Sequence, residues 1–223
     1  MKAIIFGATG MVGSGVLLEC LEHPDVESIL VVGRSSCEIE NAKLQEIIHQ
    51  DFFDYSGIED ALRGYDACFF CLGVSSFRMS EEHYHRLTYE LTLQAAETLV
   101  RSNPDMTFCY VSGTGTDSTE SGRIMWARVK GKTENQLLRL PFKAVYLFRP
   151  GYIQPLKGIR SKTRVYQALY TALGPLYPVW KKLFPKFVTN TEKLGLAMIH
   201  VASQGYPRPV LENRDIYSVS RGQ

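Results

Sequence analysis

"IIFGATGMVGSGVL", residues 4–17, joins an apolar run to an amphipathic one through Gly7, Gly10 and Gly13. The apolar run has the composition of a buried strand, and the second run has helical spacing. The first glycine allows a tight turn, the second lets the backbone approach a pyrophosphate, and the third permits close packing of helix on strand. Free N–H groups at the start of the helix attract the anion. The stretch therefore predicts a dinucleotide-binding loop. Its candidate contact residues are Gly7, Thr9, Gly10, Met11 and Val12.

The same alternation of short apolar runs and helical stretches continues along the chain. Short apolar runs are typical of buried parallel strands. The predicted strands are 2–6, 28–33, 67–73, 107–113 and 144–150, with a weaker one at 47–52. The predicted helices are 11–23, 55–64, 81–102 and 123–140. Right-handed crossovers between such strands predict an α/β fold, a Rossmann-like doubly wound parallel sheet.

The size and composition of the chain suit one compact domain. It has 223 residues, of which 45% are hydrophobic and 22% charged, enough to bury a substantial core. After Pro155 the pattern becomes mostly helical and rich in proline. We therefore expect a single domain over residues 1–223, in which residues 152–212 form a small, mostly helical C-terminal lobe that shapes a pocket.

Several classes of protein are disfavoured by composition. The net charge of +2 gives no reason to expect a nucleic-acid partner. No stretch approaches the roughly 20 apolar residues of a membrane span, and the N-terminus does not resemble a signal peptide. Cys68 and Cys71 lie in a predicted strand, whose alternation directs them to opposite faces, so we expect buried thiols and no metal site. We predict a cytoplasmic protein.

The end of the second strand indicates which dinucleotide is bound. An Asp or Glu at this point holds the ribose 2′-hydroxyl of NAD, whereas a guanidinium suits the 2′-phosphate of NADP. The sequence here is "VVGRSS", with Arg34 in that place, Ser35 and Ser36 as further donors, and no carboxylate before Glu38. We therefore expect NADP(H) in preference to NAD(H).

Three other strand ends fit the same nucleotide. Asp51 and Phe52, at the end of the weak third strand, are candidates for a hydrogen bond and a ring contact to the adenine. Leu72 and Gly73, after the fourth strand, lie where the cofactor ribose would pass. Pro150, in "RPG", follows a later strand near the nicotinamide.

In combination, these motifs resemble a known group of proteins. The motifs are "FGATGMVG", "VVGRSS", "FFCLGVSS", "YVSGTGTDSTE", "RVKGKTENQL", "LFRPGYI" and "LENRDIY". They resemble the extended or atypical short-chain dehydrogenase/reductase superfamily, in particular its Tat-interacting-protein-like branch, a neighbour of the NmrA-like regulators. The resemblance covers nearly the whole chain. It implies a Rossmann-like sheet that binds NADPH, with a small C-terminal lobe around a substrate or partner pocket.

The resemblance also implies an active centre of Ser, Tyr and Lys, in which Tyr and Lys are spaced YxxxK. The Ser matches Ser112, and Lys130 matches the Lys, where it holds the ribose and lowers the pKa of the Tyr. Trp126 stands at the Tyr position. An indole has one N–H donor and no proton that is released near neutral pH, so the usual proton donor of carbonyl reduction is replaced.

Three interpretations of Trp126 follow. The protein is a redox-responsive or regulatory NADP(H) binder with weak or altered catalysis. Alternatively, it is an active NADPH-dependent oxidoreductase or a nucleotide-sugar epimerase/dehydratase-like enzyme with a substitute acid. In the third interpretation Trp126 is a core residue. The candidate substitute acids are Thr114, Thr116, Ser118, His83, Tyr84 and His85.

Two further stretches bear on function. Superfamily members often carry Asn or Asp early in the helix 81–102, where this chain has Thr88, which weakens the expected catalytic relay. The segment 163–188 is aromatic, with Lys181, Lys182 and Lys186 clustered. It is interpreted as packing and pocket lining, as a surface for a protein partner, or as a membrane-surface segment. Its prolines interrupt an amphipathic helix, so membrane contact is the least favoured. The small-molecule substrate stays unspecified.

Overall fold

The computed structural model describes residues 1–159 and 187–222. Its strands are β1 (Lys2–Phe6), β2 (Ser28–Gly33), β3 (Leu44–Ile48), β4 (Ala67–Phe70), β5 (Thr107–Val111), β6 (Ala144–Arg149), β7 (Tyr152–Gln154), β8 (Val188–Asn190) and β9 (Val210–Glu212). Its helices are α1 (Met11–Glu22), α2 (Glu81–His85), α3 (Leu91–Ser102), α4 (Met125–Leu137), α5 (Thr191–Gln204) and α6 (Asn213–Val219). One π-helical turn, Arg86–Glu90, joins α2 to α3.

The main sheet of the described chain is wholly parallel. Its strand order is β3-β2-β1-β4-β5-β6-β9, and β7 pairs with β8 in a separate two-stranded sheet. The order reverses between β1 and β4, which pair through residues 3–6 and 67–70. Ligands of doubly wound sheets bind at such a reversal, outside the carboxyl ends of the strands. The predicted α/β, Rossmann-like fold is confirmed.

Helices cover both faces of the sheet. Alternate residues of β1 point to opposite faces: Ile5 belongs to the core that α1 and α5 cover, whereas Ile4 and Phe6 belong to the core that α3 and α4 cover. Cys68 lies in the second core and Cys71 packs against the first, so the predicted opposite orientation of the two thiols is confirmed. Burial raises the pKa of both thiols, that of Cys71 to about 12.

Small residues bring α1 and α5 into close contact. A Cβ on Gly15 would lie 2.5 Å from Cβ of Thr191, and a Cβ on Gly195 would lie 2.8 Å from Cγ of Glu19. Larger side chains would push the helices apart. The contact therefore fixes the position of α1, whose first turn belongs to the candidate site described below.

The structure corrects two predicted elements. The third strand is Leu44–Ile48, not 47–52, because it pairs with β2 as a partly polar edge strand that lacks the continuous apolar run of a central strand. Asp51 and Phe52 therefore follow the strand in a turn, where Oδ1 of Asp51 accepts a hydrogen bond from the N–H of Phe53 at 2.9 Å. The helix predicted at 55–64 is only the short 3₁₀ turn Glu59–Leu62.

The C-terminal part of the chain also differs from its predicted outline. Residues 210–212, assigned above to the lobe, form β9 and pair with residues 147–149 of the main sheet. Leu211 is fully buried there, so the main core continues beyond the predicted boundary. No helix within residues 1–159 and 187–222 is both long and apolar enough to span a membrane.

Candidate functional site

The glycine loop between β1 and α1 has a backbone shape that side chains would disrupt. Gly7 has a φ of +79°, and a Cβ there would lie 2.9 Å from the carbonyl carbon of Cys71. A Cβ on Gly13 would lie 2.1 Å from the oxygen of Gly7. The cap residue of α1, Gly10, supplies no side-chain hydrogen bond. The first-turn N–H groups of the helix are therefore available to an anion.

A cleft of about 500 Å³, here called the central cleft, opens at the carboxyl ends of β1, β4, β5 and β6. Its lining residues are Gly10, Met11, Val12, Cys71, Leu72, Gly73, Val111, Ser112, Gly113, Thr114, Lys130, Pro150, Gly151 and Ile153. The structure thus brings together, in one cleft, most of the residues predicted for the pyrophosphate, the ribose and the reaction centre. Gly7 lies beneath them in the turn.

A second cavity, of about 230 Å³ and here called the Phe52 cavity, continues from the central cleft. The two share Leu72 and Gly73, and the Phe52 cavity is also lined by Arg34 and Asp51. The ring of Phe52 is only 6% exposed. It packs edge-on against Phe6 with centroids 6.2 Å apart, so most of it belongs to the core and little reaches the cavity.

A third cavity, of about 410 Å³ and here called the Thr9 cavity, lies between the glycine loop and the loop after β2. Thr9 and Ser35 line it, together with Ser36 and Glu38. The hydroxyl of Ser36 donates to Glu46 at 2.6 Å, so this predicted donor is already occupied. That bond and one from the N–H of Cys37 lower the pKa of Glu46.

Ser112 follows β5 and is held by main-chain and side-chain bonds. Its N–H donates to the oxygen of Phe148 at 2.8 Å. Its Oγ lies 2.8 Å from Oγ1 of Thr116, and Thr116 donates to the oxygen of Gly113 at 2.8 Å. Because the Thr116 proton is directed to Gly113, the Ser112 hydroxyl donates to Thr116. Ser112 is also one of the residues that line the central cleft.

Lys130 reaches the central cleft from α4. Its Nζ donates to the oxygens of Ser112 at 3.2 Å and Val111 at 3.3 Å. The ammonium also lies 5.3 Å from the ring centroid of Tyr110. Burial lowers the pKa of Lys130 from 10.5 to about 8, and the negative charge of Glu134 opposes part of that change. The charged form of this amine is therefore less favoured than in a lysine exposed to solvent.

Trp126 lies one helical turn before Lys130 on the same face of α4. Its side chain is half-buried, so it is not one of the core residues. The indole stands over Gly115: a Cβ there would lie 3.5 Å from Cη2 of the ring. Gly113 and Thr114, the two residues before that glycine, line the central cleft. Trp126 therefore packs on the loop that follows Ser112, close to residues that line the central cleft, but it is not itself among the lining residues.

Gly131 brings that loop onto α4. A Cβ on Gly131 would lie 1.8 Å from the oxygen of Asp117, and the N–H of Asp117 donates to the oxygen of Ala127 at 3.1 Å. Hydrogen bonds from the hydroxyl of Thr119 and the N–H of Gly122 lower the pKa of the Asp117 carboxyl. The glycine after Lys130 thus permits the contact that places the Ser112 loop beside the lysine.

A buried ion pair supports the other side of Lys130. Glu134, one turn further along α4, is 1% exposed and accepts hydrogen bonds from Nε and Nη2 of Arg149. Nη2 of Arg149 also donates to the hydroxyl of Ser118 at 2.5 Å, and Nη1 lies 3.5 Å from Glu212. This pair connects α4, the end of β6 and the Ser112 loop.

The candidate substitute acids divide into two groups. Thr114 lines the central cleft, Thr116 is bonded to Ser112, and Ser118 to Arg149. The three candidates on α2 are not among the residues that line the central cleft. His83 is exposed and His85 lies 3.3 Å from Nζ of Lys132.

The third candidate on α2, Tyr84, is buried, which raises the pKa of its phenol. Thr88, at the position where the superfamily often has Asn or Asp, is buried in the π-helical turn, and its hydroxyl has no hydrogen-bond partner within the described residues.

Several cavity residues had no clear signal in the sequence. Cys71 and Ile153 line the central cleft beside predicted residues. Their position near the end of a predicted strand was the one feature of the sequence that could have indicated this. Leu87 and Leu91 line the Phe52 cavity but look like ordinary apolar positions of a helix. Residues 163–186 of the aromatic and basic segment, including its three clustered lysines, lie outside the described residues.

Comparisons with known proteins agree with this geometry. The family model described as NAD dependent epimerase/dehydratase family matches residues 3–120. Protein FMP52, mitochondrial, of Meyerozyma guilliermondii is 27% identical over 204 residues, 91% of this chain and 85% of that protein. Protein HTATIP2 of Rattus norvegicus is 26% identical over 155 residues, 68% of this chain and 62% of that protein.

A solved structure shares the fold. The Bordetella bronchiseptica enzyme WbmF in complex with NAD+ has a TM-score of 0.65 and 16% identity, over 99% of this chain and 77% of that one. At that identity the likeness supports the fold alone. Together with the sequence relatives, it confirms the resemblance that the motifs indicated.

Proposed function

The chain belongs to the NAD dependent epimerase/dehydratase family, and we propose that it is an NADP(H)-binding member with an altered reaction centre. Membership implies a nicotinamide dinucleotide as cofactor. The finer proposal is that the cofactor is NADP(H), and that Trp126 stands in place of the proton donor. The protein then acts as a redox-responsive or regulatory binder with weak or altered catalysis.

The first turn of α1 fits a bound pyrophosphate. Gly10, Met11 and Val12 line the central cleft, and the helix has no capping side chain that would occupy its N–H groups. A bound anion supplies the missing acceptors and is attracted by the helix dipole. A Cβ on Gly7 or Gly13 would meet main-chain atoms, so these glycines are needed for the path of the loop that leads into the first turn of α1.

Arg34 supports NADP(H) over NAD(H). It follows β2 and is exposed, and its guanidinium has no hydrogen bond or ion pair with another residue in the described ranges. It lines the Phe52 cavity, while its neighbour Ser35 lines the Thr9 cavity. A guanidinium between these two cavities suits a ribose phosphate. Glu38 also lines the Thr9 cavity, and its carboxylate acts against the phosphate.

The observation that carries the altered centre is the position of Trp126 beside Lys130 and the Ser112 loop. Bound NADPH supplies hydride to a carbonyl carbon. Ser112 offers a hydroxyl beside the cleft and Lys130 an ammonium that binds a sugar hydroxyl or a carbonyl oxygen. The indole donates a hydrogen bond but releases no proton, and general acid–base catalysis contributes about 10²–10⁴-fold to such rates.

A second candidate function is an active oxidoreductase or an epimerase/dehydratase-like enzyme. The observation that favours it is Lys130, whose pKa of about 8 lets the amine itself release a proton. In this case Lys130 is the substitute acid, with Ser112 beside it. Thr114 is the other hydroxyl among the candidates that lines the cleft, but an aliphatic hydroxyl does not ionise near neutral pH.

Titration with NADPH and NADH tests the cofactor proposal. The parent protein should bind NADPH more tightly than NADH. Arg34→Ala should weaken NADPH binding about 10- to 100-fold, as expected for a hydrogen-bonded charge pair, and should leave NADH binding unchanged. Glu38→Ala is the matched variant of opposite charge and should tighten NADPH binding. Tighter NADH binding by the parent, or equal losses for both cofactors in Arg34→Ala, would contradict the proposal.

The predicted cytoplasmic location and the identity of any protein partner stay predictions. FMP52 carries the word mitochondrial in its name, which is a statement about that protein.

A further inference from the structure

The motif "LENRDIY", residues 211–217, supplies no lining residue to the three cavities described above. It spans the end of β9 and the start of α6. Leu211 and Ile216 are fully buried, so core packing accounts for these two apolar positions. The polar residue between them, Asn213, is only 2% exposed. A buried amide of this kind is retained where its hydrogen bonds hold another part of the chain.

β6 and β9 end side by side, which places Asn213 next to the segment that follows β6. The two strands are parallel, and Arg149 at the end of β6 pairs with Glu212 at the end of β9. Nη1 of Arg149 also lies 3.5 Å from the carboxylate of Glu212. The residues that follow the two strands are therefore neighbours: Pro150 and Gly151 after β6, here called the Pro150 bend, and Asn213 after β9.

A hydrogen bond joins the Pro150 bend to α6. The N–H of Gly151 donates to Oδ1 of Asn213 at 3.3 Å. Both residues of the bend line the central cleft, and Pro150 is the residue predicted to lie near the nicotinamide. Because proline has no N–H and glycine has no side chain, the bend has a single N–H group with which to donate a hydrogen bond. Asn213 accepts that bond.

The other hydrogen bonds around the bend join main chain to main chain. The oxygen of Pro150 accepts from the N–H of Thr114 at 3.0 Å, and the N–H of Tyr152 donates to the oxygen of Phe187 at 2.8 Å. The path of the backbone determines these bonds, whereas the bond to Asn213 is lost with one side-chain substitution. The wall of the cleft can therefore be altered at Asn213 while every lining residue stays the same.

The start of α6 holds Asn213 in place. Glu212 and Asp215 form a capping box, in which the N–H of Glu212 donates to Oδ2 of Asp215 at 3.0 Å. Oδ1 of Asp215 also accepts hydrogen bonds from Tyr206 at 3.1 Å and from Arg208 at 2.6 Å. The polar residues on both sides of Asn213 thus fix the helix from which its side chain reaches Gly151.

We propose that Asn213 is a positioning residue for the nicotinamide of bound NADP(H), because it holds the Pro150 bend at the wall of the central cleft. This rests on the proposed function, since the bend meets a nicotinamide only when the cofactor occupies the cleft. Asn213 is not among the residues that line the cleft, so it acts through Gly151. Without its oxygen, the N–H of Gly151 loses this acceptor and the bend is less constrained, while the first turn of α1 is unchanged.

Two ligands separate this role from a general loss of stability: NADPH, and 2′-phospho-ADP-ribose, which lacks only the nicotinamide. The parent should bind NADPH more tightly than 2′-phospho-ADP-ribose. Asn213→Ala should weaken NADPH binding about three- to tenfold, as expected for one hydrogen bond, and should leave 2′-phospho-ADP-ribose binding unchanged. Asn213→Asp keeps an acceptor oxygen and should retain the parent's ratio of the two affinities. Both ligands carry the same phosphates, so the added charge affects them alike.

Asn103→Ala is the matched control. Asn103 is 6% exposed, and its Oδ1 accepts hydrogen bonds from the N–H groups of Gly64 at 2.7 Å and Tyr65 at 3.0 Å. These residues precede β4, at the end of the sheet opposite the central cleft. The control removes the same kind of contact, so it should lower stability and retain the parent's ratio of affinities. Urea unfolding shows which variants are folded. Asn213→Thr, whose hydroxyl is one bond closer to the main chain, replaces Asn213→Ala if that variant is unfolded.

An equal loss of affinity for both ligands in Asn213→Ala would overturn the proposal, because it would indicate a structural role alone. So would a change in the affinity ratio of Asn103→Ala as large as that of Asn213→Ala, or a loss of the parent's ratio in Asn213→Asp. A parent protein that binds neither ligand contradicts the proposed function. Binding of both ligands, with the same ratio in the parent and in Asn213→Ala, contradicts only the role of Asn213.

Discussion

The start of α1 and the side of α4 that carries Lys130 contribute to the candidate site in different ways. At α1 the groups that face a ligand are glycines and main-chain N–H groups, and a Cβ on Gly7 or Gly13 would collide with the backbone. At α4 the chemistry comes instead from side chains spaced one helical turn apart: Trp126, Lys130 and Glu134. A site made of backbone is fixed by the path of the chain. A site made of side chains changes its chemistry with a single substitution while the fold stays the same.

The buried ion pair behind α4 should give the largest effect on stability. Arg149→Ala leaves the carboxylate of Glu134 buried without its partner, and breaking such a pair costs about 3–5 kcal/mol. Arg63→Ala is the control, because Arg63 pairs with Asp60 on the surface with 62% and 95% of the side chains exposed. Exposed pairs contribute about 0–1 kcal/mol. Urea unfolding measures the loss of unfolding free energy in each variant. Equal losses in Arg149→Ala and Arg63→Ala would show that the packing of α4 does not depend on the buried pair.

The glycine contacts of α1 should give the next largest effect. Gly13→Ala places a Cβ 2.1 Å from the oxygen of Gly7, so the helix must shift and stability should fall by about 1–3 kcal/mol. NADPH binding should weaken in the same variant. Gly57→Ala is the control: nothing lies within 4 Å of its Cβ, so the change should be below about 1 kcal/mol. A Gly13→Ala protein as stable as the control would contradict the claim that the start of α1 depends on close backbone contacts at its glycines.

Lys130 should give a smaller effect that depends on pH. Its pKa is about 8 in the folded protein and 10.5 in an unperturbed lysine. Between these values the unfolded chain binds more protons than the folded one, so stability rises as pH increases from about 8 to about 10.5. Relative to Lys130→Met, the parent should gain about 2 kcal/mol over this window. Urea unfolding at several pH values measures the unfolding free energy of both proteins. If that free energy had the same pH dependence in the parent and in Lys130→Met, the amine of Lys130 would be exposed to solvent.

The fold was predictable because its signals are local and repeated. The ranges 2–6 and 28–33 are bounded by the same residues in the prediction and in the structure, since central parallel strands are buried on both faces. Edge positions carry weaker signals. Leu44–Ile48 is partly polar, and Val210–Glu212 is only three residues long, so neither resembles a buried strand until its neighbour is known.

For the candidate site, too, local features were predictable from the sequence and contacts between distant segments were not. The residues of the glycine loop could be named from spacing alone, because the backbone path that they require is common to all such loops. Contacts between distant segments could not be predicted from any sequence pattern. The packing of Gly131 on Asp117 and of Trp126 on Gly115 depends on a loop whose path no periodicity describes. Nor did the sequence indicate the pairing of Arg149 with Glu134.

The replacement of the proton donor by Trp126 is the central claim, and reduction of decanal by NADPH-loaded protein tests it most directly. The decrease in NADPH absorbance is followed in the parent, Trp126→Tyr and Trp126→Phe. We expect Trp126→Tyr to react about 10²–10⁴-fold faster than the parent, and Trp126→Phe to resemble the parent, because neither side chain releases a proton. A Trp126→Tyr protein that reacts no faster than the parent, or that loses an activity the parent has, would contradict the claim.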